Sequence, residues 1–194
     1  SSCRSGWATI GAEIGDGPLE GVTKRFGLLG DDPVRSENAL PGAVRPTGLV
    51  SSVPHAAVGT SMKLTPLQVA NLFATISNGG SQMQPRLVNR VRAHDGSVIH
   101  NFGPRVVNQS VSKETAAELL ELLSENVKNG NAAGLELSDV SMGGLLASSF
   151  SESNHLWMVA LAPVTRPEVI VAVLLEGDDF DDRQAAEASI TGIS

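Results

Sequence analysis

The sequence predicts an α+β fold in which helices pack on an antiparallel sheet and a small β-hairpin stands between them. Three observations carry this. The stretch Leu64–Gly80, LTPLQVANLFATISNGG, is an apolar segment with helix signals at both ends. Three β-rich runs, Val140–Ser149, His155–Ala162 and Glu168–Glu176, are separated only by short polar or Pro-containing turns, as in an antiparallel meander. Helices, hairpin, helix, three strands and a closing helix follow one another with no internal repeat.

Residues 7–15, WATIGAEIG, have helical spacing, and Leu19, Val22 and Phe26 continue a second short amphipathic helix that stops at Gly27. Residues 30–60 turn to Pro, Gly, Ser and Asp and form a long irregular excursion, of a kind that is functional or covers something. In the next helix Thr65 is the N-cap, Pro66 takes the first position, where no amide donor is needed, and Gln68 completes a capping box. Asn78-Gly79-Gly80 closes it with residues that tolerate left-handed backbone. Leu67, Val69, Ala70, Leu72, Phe73, Ala74 and Ile76 leave almost no polar face, so this helix is expected to be buried all round.

Arg86–Ala93 and Ser97–Phe102 alternate as two strands joined by His94-Asp95-Gly96. Ser112 caps a helix in which Ala116, Leu119, Leu120, Leu123 and Val127 form the apolar stripe, Glu118, Glu121, Glu125 and Lys128 face outward, and Gly130 ends the run. After the three strands, Asp181 and Asp182 precede RQAAEASITGI, a closing helix with acid at its positive end.

A chain of 194 residues that is 41% hydrophobic is long enough and apolar enough to bury a substantial core. Its net charge of −7, without a block of basic residues, argues against a nucleic-acid backbone or an anionic membrane as its main partner. The longest apolar runs, Val169–Leu175 and Leu156–Val164, fall well short of the roughly 18 residues of a membrane span. The chain opens at Ser1 without a Met, which leaves an upstream anchor or signal open. Cys3 is alone, so no internal disulfide forms.

Four segments in order, SCRSGWATIGAEIG with KRFGL, then GTSMKLTPLQVANLFATISNGG with PRLVNRV, then ENVKNGNAAG, and finally SMGGLLAS leading into HLWMVALAP, resemble the transpeptidase domain of penicillin-binding proteins over nearly the whole chain. The resemblance implies a penicillin-binding/β-lactamase-like sheet of five strands, of which this chain supplies the three C-terminal ones, so that residues 1–194 form the C-terminal part of one such domain. It also implies acyl transfer by Ser-x-x-Lys, Ser-x-Asn and Lys-Thr-Gly motifs. A serine must lose its proton to attack an amide, a nearby amine accepts that proton, and backbone amides hold the oxyanion.

The resemblance places the first motif upstream of Ser1, and the chain itself is expected to contain no Ser-x-x-Lys. The second falls at Ser2-Cys3-Arg4, with Arg4 in place of asparagine; arginine is longer, permanently charged and has no acceptor. The third falls at Gly144-Leu145-Leu146, where lysine, threonine and glycine are all replaced, and no Lys or Arg occurs between Lys128 and Arg166 to rescue it. The Gly-Thr pair that often precedes this strand is altered to Gly130-Asn131. The expectation is a degenerate, non-catalytic transpeptidase domain with a structural or interaction role on the extracytoplasmic side of a bacterial membrane. The alternative is an acyl-serine enzyme completed by the N-terminal half.

Alternation along the third-motif strand sends Leu145 and Leu146 to opposite faces, so one leucine is expected to plug the former cleft. Residues 168–176 are expected to be an apolar strand edge that pairs with the N-terminal half or with a second copy of the chain. Peptidoglycan or a cell-envelope protein is the further partner the resemblance implies. No cofactor or metal is expected: His55, His94, His100 and His155 show no paired ligand spacing, and Glu176 to Asp182 lacks the order of a calcium loop. His155 shares a strand face with Trp157 and is expected to be an ordinary solvated histidine. Asn108-Gln109-Ser110 is a glycosylation sequon of the kind that arises by chance.

Overall fold

The computed structural model describes residues 4–28, 57–59, 64–135, 139–150 and 154–177. Helices α1 (Arg4–Ile14) and α2 (Asp16–Arg25) open the chain, broken at Gly15, whose φ of 80° no helix accommodates. The excursion at 30–60, apart from residues 57–59, and the closing helix at 183–193 lie outside the described residues.

Helix α3 (Pro66–Ser77) carries the full capping box: the Gln68 amide donates to Thr65 Oγ1 at 3.2 Å, and the Thr65 amide donates to Gln68 Oε1 at 2.9 Å. Its all-round burial is corrected. Phe73, Thr75 and Ile76 are buried, but Leu67 is 37% exposed and Val69 and Leu72 are half-buried. An apolar helix surface reports a tolerance for burial, and only the neighbours decide which part of it is used.

Two short ladders follow. Strands β1 (Ser81–Met83) and β4 (Val106–Gln109) pair antiparallel, enclosing in sequence the hairpin β2 (Arg90–Arg92) and β3 (Val98–Asn101). The hairpin strands are shorter than the sequence suggests and wholly exposed, because neither face packs on a core. The turn is held by Asp95, whose carboxylate accepts from the Ser97 hydroxyl and amide, and these bonds lower its pKa. The β1–β4 ladder is tied to the end of α2: Arg25 O accepts from Asn108 Nδ2 at 2.9 Å and Ser110 Oγ at 2.7 Å, and Gln82 Nε2 donates to Phe26 O at 3.0 Å. The amide of the Asn108 sequon is therefore already engaged.

Helix α4 (Lys113–Asn129) begins at the Ser112 cap, whose hydroxyl accepts from the Thr115 amide. The main sheet has order β5-β6-β7, with β5 (Gly143–Phe150), β6 (Asn154–Ala162) and β7 (Val169–Glu176) antiparallel in continuous register. One face of it, with Val159, Leu161, Ile170 and Ala172, packs on Phe73 of α3 and on Leu120 and Leu123 of α4. The opposite face, with Leu146, Leu156, Met158 and Ala160, packs on Val127, Ala132 and Leu135. The chain thus passes from one face to the other around the outer edge of β5.

Candidate functional site

The site predicted from sequence centres on Gly144-Leu145-Leu146 at the start of β5. In an antiparallel ladder alternate residues turn both backbone polar groups toward the partner strand or away from it. Gly144 and Leu146 turn theirs away from β6, and both carbonyls are occupied. Asn126 Nδ2, on the last turns of α4, donates to Gly144 O at 2.9 Å. Asn131 Nδ2 donates to Leu146 O at 2.8 Å, and Asn131 Oδ1 accepts from Asn126 Nδ2 at 2.9 Å. Two side chains thus form a clasp over the stretch of edge where the third motif is expected.

Side-chain directions follow the same alternation. Leu146 is 4% exposed and belongs to the core, whereas Leu145 points the other way and is 37% exposed. Gly144 shares the Leu146 face. A Cβ placed on it would run into Leu135 Cδ1, with Val159 O at 3.1 Å and Val127 Cγ2 at 3.3 Å. Leu135 is itself fully buried, so the position matching the motif's lysine faces packed core. Gly143, on the opposite face, is nearly as confined, its added Cβ meeting Leu161 and Val164 at 3.0 Å.

Ser2 lies outside the described residues, and Arg4 is described only as the first backbone residue of α1, so neither is seen beside Gly144. One Ser-x-x-Lys spacing does occur within the chain, at Ser110-Val111-Ser112-Lys113, which corrects the expectation that the chain contains none. The geometry there is structural. Ser110 is 2% exposed, its hydroxyl donates to Arg25 O, and it precedes the Ser112 cap, so it does not share a helical face with Lys113. His155 also departs from expectation: it is half-buried opposite Glu176, with Nε2 3.4 Å from the carboxylate. The cross-strand register sets this pair, and no pattern within one strand reveals it.

Asn126 was not legible as a site residue. Its only signal is an amide at the margin of the apolar stripe, between Leu123 and Val127, where a solvated residue would be ordinary. Among the described residues no three His, Cys, Asp or Glu side chains converge as metal ligands, and no helix is long and apolar enough to cross a membrane.

The profile of the penicillin binding protein transpeptidase domain matches residues 1–192. A peptidoglycan D,D-transpeptidase, PbpA, of Mycolicibacterium smegmatis is 33% identical over 95% of this chain and 38% of its own length. Penicillin-binding protein 2A of Bacillus subtilis is 25% identical over 82% of the chain and 25% of its own. Among solved structures, penicillin-binding protein A from M. tuberculosis superposes with a TM-score of 0.79 at 26% identity, covering 98% of this chain and 45% of that one. The imipenem acyl-enzyme of the same protein reaches 0.81 at 24% identity, again over 98% of this chain and 45% of that one, a likeness of fold. The chain therefore spans less than half the length of these relatives. On the profile match, the ordered segments and the shared fold, it belongs to the penicillin-binding protein transpeptidase family.

Proposed function

We propose that the chain is the C-terminal part of a degenerate transpeptidase domain, which keeps the fold as an interaction surface in peptidoglycan biology outside the cytoplasmic membrane. The observation that carries the reading is Gly144, where a lysine is absent and Leu135 and Val127 occupy the space a side chain would need. The Asn126–Asn131 clasp adds to it, since the outward carbonyls of Gly144 and Leu146 are already hydrogen-bonded within the chain. Leu145, 37% exposed, is then the leucine facing the former cleft. Removing members of a catalytic unit commonly costs factors of about a thousand or more, so loss of the second and third motifs together leaves little acylation.

A second reading is favoured by the relatives' names, which include peptidoglycan D,D-transpeptidases. In it, an N-terminal half supplies serine and lysine, and the whole domain acylates. A fluorescent penicillin added to the full-length protein decides between the two. No covalent adduct is expected; a stoichiometric adduct stable to denaturing gel electrophoresis overturns the first reading.

The same proposal assigns a partner to β7. Among the described residues its only strand partner is β6, so no described strand takes its outer backbone edge, which can accept another. That strand comes from the N-terminal half or from a second copy. Hydrogen exchange at the Val169–Leu175 amides, read with solution mass by light scattering, tests it. Fast exchange in a monodisperse monomer would show that the edge stays unpaired.

A further inference from the structure

The β2–β3 hairpin is a basic segment of an acidic chain. Residues 86–105 hold Arg86, Arg90, Arg92 and Arg105 against one acid, Asp95. All four arginines are exposed, and Asp95 sits in the turn with its carboxylate engaged by Ser97. The two arms therefore carry positive charge and no carboxylate. The Gln84 amide donates to Arg105 O and the Phe102 amide to Asn89 O, both at 2.9 Å, so the hairpin continues the β1–β4 ladder as one two-stranded ribbon.

Apolar side chains stand among these charges. Leu87 is 79% exposed and Ile99 66%, and Val98 and Phe102 are exposed as well. Residues paired across an antiparallel ladder share a face. Arg90 and Arg92, with Val98 opposite Arg92, thus lie on one face of the ribbon, and Val91 with its partner His100 lies on the other. Phe102 meets the His100 ring edge-on, with centroids 4.3 Å apart. A protein partner of fixed shape covers one face of so thin a ribbon, whereas the fluid headgroup layer of a bilayer surrounds both. Arginine suits that layer, because its apolar stem lies along acyl surface while the guanidinium pairs with phosphate. The net charge of −7 argues against an anionic membrane as the chain's main partner. Screening nevertheless confines each charge to about 8–10 Å in salt, so a contact made by the ribbon is governed by the ribbon's own arginines.

We propose that this ribbon docks the chain on a bilayer rich in anionic phospholipid, with the four arginines on lipid phosphates and Leu87 and Ile99 entering the acyl boundary. The contact uses no residue of the β5 region, so its test is independent of whether the domain acylates.

The test is flotation of the full chain with vesicles in a density gradient, where self-associated protein stays at the bottom. The chain is expected to float with vesicles of equal parts phosphatidylglycerol and phosphatidylcholine, less so as salt rises, and not with phosphatidylcholine alone. An arginine near an anionic surface contributes about fivefold in affinity, so Arg90→Gln with Arg92→Gln is expected to weaken binding at least about tenfold. Arg166→Glu, at an exposed position between β6 and β7, makes the same change in net charge and is expected to alter binding less than about threefold. Ile99→Ser is expected to weaken it at least about threefold, as loss of an inserted apolar side chain implies. Both hairpin strands are exposed throughout, so these variants are expected to keep the parent Tm. No flotation, equal flotation with neutral vesicles, equal losses in the Arg166 and ribbon variants, or displacement by millimolar glycerol phosphate overturns the proposal. The first outcome would leave the ribbon to a protein partner, and the last to a soluble phosphate.

Discussion

Gly144→Ala tests whether the strand position that matches the motif's lysine is closed. The added methyl would run into Leu135 Cδ1 and approach Val159 O to 3.1 Å and Val127 Cγ2 to 3.3 Å. Leu135 is fully buried and Val127 is 3% exposed, so neither has free space to retreat into. Overpacking of this kind costs about 1–3 kcal/mol, which for a chain of this size lowers Tm by about 2–12 °C. Leu135→Ala alone should cost about 2–5 kcal/mol through the cavity it leaves. The two together should cost less than their sum by at least about 0.5 kcal/mol, since the methyl then occupies vacated space. Urea unfolding followed by tryptophan fluorescence measures each, with Trp157 of β6 lying opposite Ala147 of β5. If Gly144→Ala changes stability by less than about 0.5 kcal/mol and is additive with Leu135→Ala, Leu135 swings aside at no cost and the position is open. Failure there would remove the geometric half of the argument for degeneracy.

Asn126→Leu strips the donor from Gly144 O, and a carbonyl left unmet at that half-buried edge should cost about 1–3 kcal/mol; Asn129→Ala on the exposed side of α4 should stay within about 0.5 kcal/mol, and equal effects in urea titrations would count against the clasp. At the start of α4, Glu114 has its pKa lowered below the ordinary 4.5, first by its own backbone amide, then by the Ser112 hydroxyl and the nearby Lys113. A depressed native pKa means stability that is complete above the unfolded value and lost as pH falls through the native one. Glu114→Gln should therefore be less stable than the parent at neutral pH, with the gap closing in acid; a gap that stays constant from pH 7 to about pH 3 would refute the linkage.

Local chemistry made several elements readable in the sequence. Thr65, Pro66 and Gln68 satisfy orphan amides within one helical turn, so the start of α3 needs no distant residue. Ser112 does the same for α4, and three β-rich runs separated by short turns announce β5, β6 and β7, where strand alternation then places Leu145 and Leu146 on opposite faces. The ordered segments around them were enough to suggest the family. Other features are pairings between residues remote in sequence, and no local pattern encodes those. The β1–β4 ladder went unseen because β1 has three residues and the ladder carries Gln82, Asn108 and Gln109, whose polarity is explained only by the backbone carbonyls of Phe26, Arg25 and Gly79 that they meet. The closure of Gly144 depends on Leu135 crossing beneath the sheet, and the clasp on α4 running along the β5 edge. A glycine in a strand says only that no side chain is present. Which atoms have taken that space is decided by the tertiary packing, because it is set by where two separately legible segments meet.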